Sequence, residues 1–109
     1  MTAPVDLSHV EEMAAGNEDI VKGLVDIFIS TSDQTIDKMA GLCGDENSEN
    51  WKSEAHSLKG SALSIGAANF VEICKEAQNN YQLPEQEKLV MLDKIKTEYS
   101  VIKDYLQSR

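Results

Sequence analysis

Among residues able to do chemistry, His56 has the most suggestive neighbours. It sits in EAHSLKGSALSIGA, the stretch from Glu54 to Ala67. Lys59 follows at i+3 and Gly60 at i+4, so on a helix all three share one face. Glycine in an exposed helix interior costs roughly 0.5–1 kcal/mol relative to alanine. Its use at such a place is to let another molecule come close to the backbone. Ser57, Ser64 and Ser53 keep the adjoining arc small, and Leu63 at i+7 adds apolar surface that a partner could cover. These residues describe a histidine presented to another protein, with the space around it cleared.

Three chemistries are open to such a histidine. Metal binding needs several convergent ligands. The other histidine is His9, and neither Cys43 nor Cys74 falls on this face, so no metal is expected. A Ser-His-Asp system needs a serine within reach of the ring and an oxyanion hole. Ser57 and Ser53 share the helix, but a convex helical surface offers no pocket. Nucleophilic catalysis by the imidazole itself fits best. A neutral imidazole has a free nitrogen lone pair and can take up a phosphoryl group as a phosphoramidate. Lys59, one turn away, can offset the phosphoryl charge. Gly60 can admit a docking protein whose acceptor carboxylate must come in line.

These residues need a helix to hold them. At about 100° per residue, Trp51, Ala55, Leu58, Ala62 and Ile65 fall in a sector roughly opposite His56. That sector is the expected core face of a helix over about 48–65, closed by Gly66. Ser61 leans toward the core edge, where packing or a backbone hydrogen bond is expected of it. Before it, a short helix is expected over about 6–15, capped by Asp6. A long one should run from Asn17, its N-cap, to about Leu42. Glu18 and Asp19 suit its dipole. Its buried stripe is read as Ile20, Leu24, Ile27, Phe28 and Thr31, continued by Met39 and Leu42. CGDENSEN reads as a polar loop. A fourth helix starts near Ala67 or Asn69 and carries Phe70, Ile73, Cys74, Ala77 and Tyr81, with NNYQL ending it. Pro84 suits the first turn of a fifth. There Leu92, Ile95, Tyr99, Ile102 and Leu106 form a heptad-like seam. Hairpin and strand patterns do not occur. The reading is all-α: an up-down four-helix bundle with a short extra N-terminal helix, a single domain over 1–109.

Composition narrows the partners. The chain has 10 basic and 19 acidic residues, a formal charge of -9. It lacks the basic footprint of a nucleic-acid binder. No apolar run approaches the ~18 residues of a membrane span. MTAPVDLSHV has neither the basic nor the apolar region of a secretory signal, so a cytoplasmic protein with free thiols is expected.

AHSLKGSALSIGA, from Ala55 to Ala67, resembles the signature of histidine-containing phosphotransfer (HPt) domains. In that family the pattern is roughly Ala-His-x-Leu-Lys-Gly-Ser/Ala, followed by Leu/Ile-Gly-Ala near the helix end. GNEDIVKGLVDIFI resembles the family's first long helix, and FVEICKEAQ the helix after the histidine helix. Phe70 and Ala77 depart slightly, standing where larger aliphatic residues are commoner.

The resemblance implies roles for the matching positions. His56 would be the phosphorylated histidine, reacting at Nε2. Lys59 would help to hold the phosphoryl group, and Gly60 would admit the partner. Gln78 falls where the family often has a polar residue facing the ring, able to accept the Nδ1 hydrogen. By their place on the helical wheel, and not by the resemblance, Ser57, Leu63 and Ser64 are expected to join Gly60 in docking. The implied protein is a free-standing, monomeric phosphorelay intermediate. It would accept a phosphoryl group from a receiver aspartate, often one fused to a hybrid sensor histidine kinase, and pass it to the aspartate of a response regulator. No glycine-rich phosphate loop occurs, so the chain is expected to be a phosphocarrier without an ATP site or cofactor. The Mg²⁺ of transfer would sit on the receiver. The alternative is a docking module that sequesters response regulators without carrying phosphate, though docking alone needs no nucleophile. A transferase acting on small molecules lacks any substrate-pocket pattern.

Overall fold

The computed structural model describes residues 3–44 and 48–109 and measures 45 × 26 × 19 Å. Among the described residues every regular element is helical: α1 (Ser8–Met13), α2 (Glu18–Leu42), α3 (Ser48–Ile65), α4 (Ala68–Asn79) and α5 (Glu85–Gln107). The four long helices form the bundle. α3 packs between α2 and α4, and α5 closes the ring against α4 and α2. Asp45–Asn47 of the expected polar loop lie outside the described residues.

Helix ends fall where local chemistry puts them. Asn17 Oδ1 accepts from the Asp19 and Ile20 amides at 3.0 and 3.4 Å, which caps α2. Ala15 and Gly16 both take positive φ, 51° and 77°, and so break α1 from α2. Pro84 stands just before α5 in extended geometry, one position ahead of the expected first turn. α1 is shorter than expected. Leu7 occupies the cap position, while the Asp6 carboxylate, one place before it, accepts from the first amide of the helix, that of Ser8, and from the Ser8 hydroxyl at 3.0 and 2.5 Å. Those bonds hold the Asp6 carboxyl below its ordinary pKa. Tyr81 lies beyond the end of α4 yet packs against the core from the connecting turn.

The core takes the α3 and α5 faces as read. Trp51, Ala55, Leu58, Ala62 and Ile65 are buried, as is the seam Leu92, Ile95, Tyr99, Ile102 and Leu106. Tyr99 sits between Phe28 and Phe70, with ring centroids 6.2 and 6.1 Å away. Its hydroxyl donates toward Asp33 Oδ1 at 2.7 Å and lies 3.0 Å from the Ile29 carbonyl, tying α5 to α2. Lys88 is buried as well. Its ammonium donates to Ser48 Oγ at 3.2 Å and lies 5.7 Å from the Trp51 ring centroid, joining the start of α3 to α5.

The expected stripe of α2 needs correction. The helix buries Val21, Val25, Phe28, Ser32, Thr35, Ile36 and Met39. Ile20, Ile27 and Thr31 are exposed, and Leu24 and Leu42 only half-buried. The core face is rotated by roughly 80° from the one expected. α2 has an apolar arc wider than the core can cover, and its leading edge stays at the surface.

Candidate functional site

The face bearing His56 is fixed from both ends of α3. At the start, Trp51 Nε1 donates to the Ala77 carbonyl at 3.0 Å. That carbonyl lies in the last turn of α4, where no intrahelical donor remains, so the indole both caps α4 and sets the register of the α3–α4 hairpin. At the other end Gly66 adopts φ +79°, and a Cβ there would run into the Asp6 carbonyl. The Asp6 amide donates to the Gly66 carbonyl at 2.9 Å, and Val5 and Leu7 are buried beside it. The N-terminal segment therefore clasps the α3–α4 turn, an approach that only glycine permits.

Between these ends the site residues fall on one face. His56, Ser57, Gly60, Leu63 and Ser64 are exposed, Lys59 and Ser61 half-buried. Ser64 Oγ donates to the Gly60 carbonyl at 3.1 Å, so its hydroxyl is turned back onto the helix. A Cβ on Gly60 would meet nothing within 4 Å. Packing inside the chain does not require glycine there. The same holds for Gly23 and Gly41, so what distinguishes Gly60 is its place one turn from His56.

The two flanks of His56 differ. Toward α2 lies an open apolar groove lined by Val10, Met13, Leu24, Ile27, Phe28 and Thr31, with Ser61, Ser64 and Ile65 on the α3 side. Met13 is 62% exposed and Ile27 63%, apolar surface beside the histidine helix, while Leu63, on α3 itself and 60% exposed, borders a separate hollow with His9 and Val71. From the sequence, Leu24, Ile27, Phe28 and Thr31 are expected in the buried stripe of α2 and not in a groove beside the histidine helix. The excess width of the apolar arc on α2 was the pattern that could have shown them. Toward α4 the flank is polar and basic. Lys52 holds its ammonium 4.6 Å from the centroid of the Tyr81 ring. Lys59 lies near enough to Cys74 to lower the pKa of its thiol slightly, but burial dominates and pushes that thiol up to about 12. Both cysteines are free and buried, and burial also raises the Cys43 thiol.

Gln78 does not make the contact expected of it. Its Oε1 is buried without any hydrogen-bond partner, so no bond links it to the His56 ring. Among the described residues no cluster of His, Cys, Asp or Glu converges as a metal site, and no helix is long and apolar enough to cross a membrane.

Residues 23–107 match the family model of the Hpt domain. The chain belongs to the Hpt domain family. That match runs from α2 through α5 and includes the whole histidine face. A curated relative, the phosphorelay intermediate protein YPD1 of Candida albicans, is 31% identical over 72 residues. The aligned stretch is 66% of this chain and 39% of that protein, so this Hpt chain spans about two fifths of the relative's length. In fold it is similar to the crystal structure of histidine-containing phosphotransfer protein B from Pseudomonas aeruginosa, with a TM-score of 0.86 at 18% identity. That superposition covers 99% of this chain and 95% of the other.

Proposed function

We propose that the protein is a phosphorelay intermediate in which His56 carries the phosphoryl group between receiver aspartates. The observation that carries this reading is an exposed histidine with Lys59 at i+3 and an unpacked Gly60 at i+4, in a member of the Hpt domain family. The neutral ring attacks phosphorus through the Nε2 lone pair while Nδ1 keeps its hydrogen. The bond from phosphorus to the aspartyl oxygen breaks and the electron pair leaves with the carboxylate. Reversal, with a second aspartate as nucleophile, cleaves the phosphorus–nitrogen bond. Lys59 offsets the phosphoryl charge in both directions.

The receiver supplies the acceptor aspartate and its Mg²⁺. It docks over Gly60, with an apolar helix face in the groove between α2 and α3 and with Ser57, Leu63 and Ser64 at the contact. The chain binds no nucleotide and uses no ATP. The test is a panel of receiver domains phosphorylated with radiolabelled acetyl phosphate. Label passing to this protein from one or more receivers, and none appearing from ATP and Mg²⁺ alone, supports the reading. Stable receiver binding without transfer would favour a sequestering module instead.

A further inference from the structure

The α4 flank of His56 carries cations that the chain itself does not neutralise. Lys52 stands at i−4 from His56, one turn back on the same face. On the helical wheel it falls on the same side of the histidine as Lys59. Among the described residues three cations pair with carboxylates, Lys94 with Glu76, Lys103 with Asp33, and Arg109 with Glu11 and Glu18, whereas Lys22, Lys38, Lys75 and Lys96 on other faces make no such pair. What sets Lys52 apart is therefore its place beside His56 and its hold on Tyr81. Among the described residues no carboxylate pairs with Lys52 or Lys59 in this way, although acidic residues outnumber basic ones 19 to 10. Lys52 instead lies over the Tyr81 ring at 4.6 Å, across the α3–α4 hairpin. The ring attracts the ammonium without neutralising it and restricts a side chain that would otherwise be highly mobile. The cation is thus held at the rim of the site with its charge still available.

We propose that Lys52 is a specificity-determining residue that reads a carboxylate on the rim of the incoming receiver, with Tyr81 as its positioning residue. The inference rests on the phosphorelay reading and adds a selection rule to it. A chain of net charge -9 repels acidic partners at long range, and a local fixed cation gives such a partner one favoured orientation. The apolar groove on the α2 side leaves rotation about the His56 axis weakly defined. A charge pair on the opposite flank defines it.

The experiment uses the receiver domain that labels the wild-type protein fastest in the panel, and follows transfer against protein concentration. Lys52→Glu places like charges together and should raise KM about tenfold, with kcat at saturation within about twofold of wild type. Lys52→Arg should keep the wild-type KM. Raising salt from ~0.05 to ~0.5 M should narrow the gap between wild type and Lys52→Glu. A receiver with its rim carboxylate changed to lysine should prefer Lys52→Glu over wild type. Tyr81→Leu, which frees the cation but keeps its charge, should fall between the two. Thermal melts of each variant separate loss of fold from loss of recognition. Wild-type KM in a folded Lys52→Glu overturns this proposal and leaves the phosphorelay reading standing. Failure of the wild-type protein to accept label from any receiver overturns both.

Discussion

The Trp51 indole on α3 donates to the Ala77 carbonyl on α4 at 3.0 Å, five residues before His56. One bond thereby links the core to the site. It satisfies a carbonyl that α4 cannot, and it fixes which residues of α4 lie beside the histidine face. Trp51→Phe should leave that buried carbonyl unpaired and a small void beside it. We expect a loss of about 2–3 kcal/mol in urea unfolding. Transfer per folded molecule should fall less than stability does, because His56 and Lys59 stay on their helix.

Two glycines of the histidine motif should respond in opposite ways. At Gly66, φ of +79° and the Asp6 carbonyl both exclude a side chain. Gly66→Ala should cost about 2 kcal/mol or more and loosen the N-terminal clasp. At Gly60 the space is open, so Gly60→Gln should stabilise the helix by a few tenths to about 1 kcal/mol. The same change should sharply reduce phosphotransfer by filling the approach to His56. Melting temperature and transfer rate on the same samples check both expectations.

Much of this was legible in the sequence because it follows from single helices. The heptad spacing from Leu92 to Leu106 and the wheel from Trp51 to Ile65 each have one apolar stripe, and each is buried as read. α2 was harder because its apolar residues cover too wide an arc. Periodicity gives an axis of apolarity but does not say which part of a broad arc the neighbours cover. Ile20 and Ile27 are as apolar as Val21 and Val25, and only the placement of α1, α3 and α5 separates them. Lys52 carries no signal in the sequence for a similar reason. Its importance depends on Tyr81, 29 positions away beyond the end of α4.

The apolar groove should matter for docking and little for folding. Ile27 is 63% exposed, so Ile27→Asp should change stability by less than about 0.5 kcal/mol. If a receiver buries that side chain, the charge should raise KM about tenfold or more. Titration of the receiver domain against both proteins, with a thermal melt of each, checks it.

Tyr99 predicts a specific alkaline weakness. Burial, with Asp33 beside the hydroxyl, raises its pKa well above the ordinary phenol value. The folded state thus favours the protonated form, and its contribution is fully present below pH ~10, where the unfolded phenol titrates. It is lost as pH rises further toward the folded value. The raised Cys43 and Cys74 thiols act with the same sign from pH ~9 upward. Tyr99→Phe should lose about 1–2 kcal/mol at neutral pH through the missing bond to Asp33. Above pH ~10 its stability should fall less steeply than that of the wild type. Urea midpoints measured from pH 7 to pH 11 (about half a unit apart) would show the two curves converging.

The most direct test of the account is the chemical identity and position of the bound phosphoryl group. Wild type, His56→Gln and His9→Gln are each incubated with one phosphorylated receiver and Mg²⁺, and the product is followed by phosphorus NMR and by peptide mapping. We predict a phosphoramidate on His56, stable to base and lost in acid, present in wild type and His9→Gln and absent from His56→Gln. Label retained by His56→Gln, or a wild-type adduct with the acid stability of a phosphate ester, would contradict the assignment of His56 as the phosphoryl carrier.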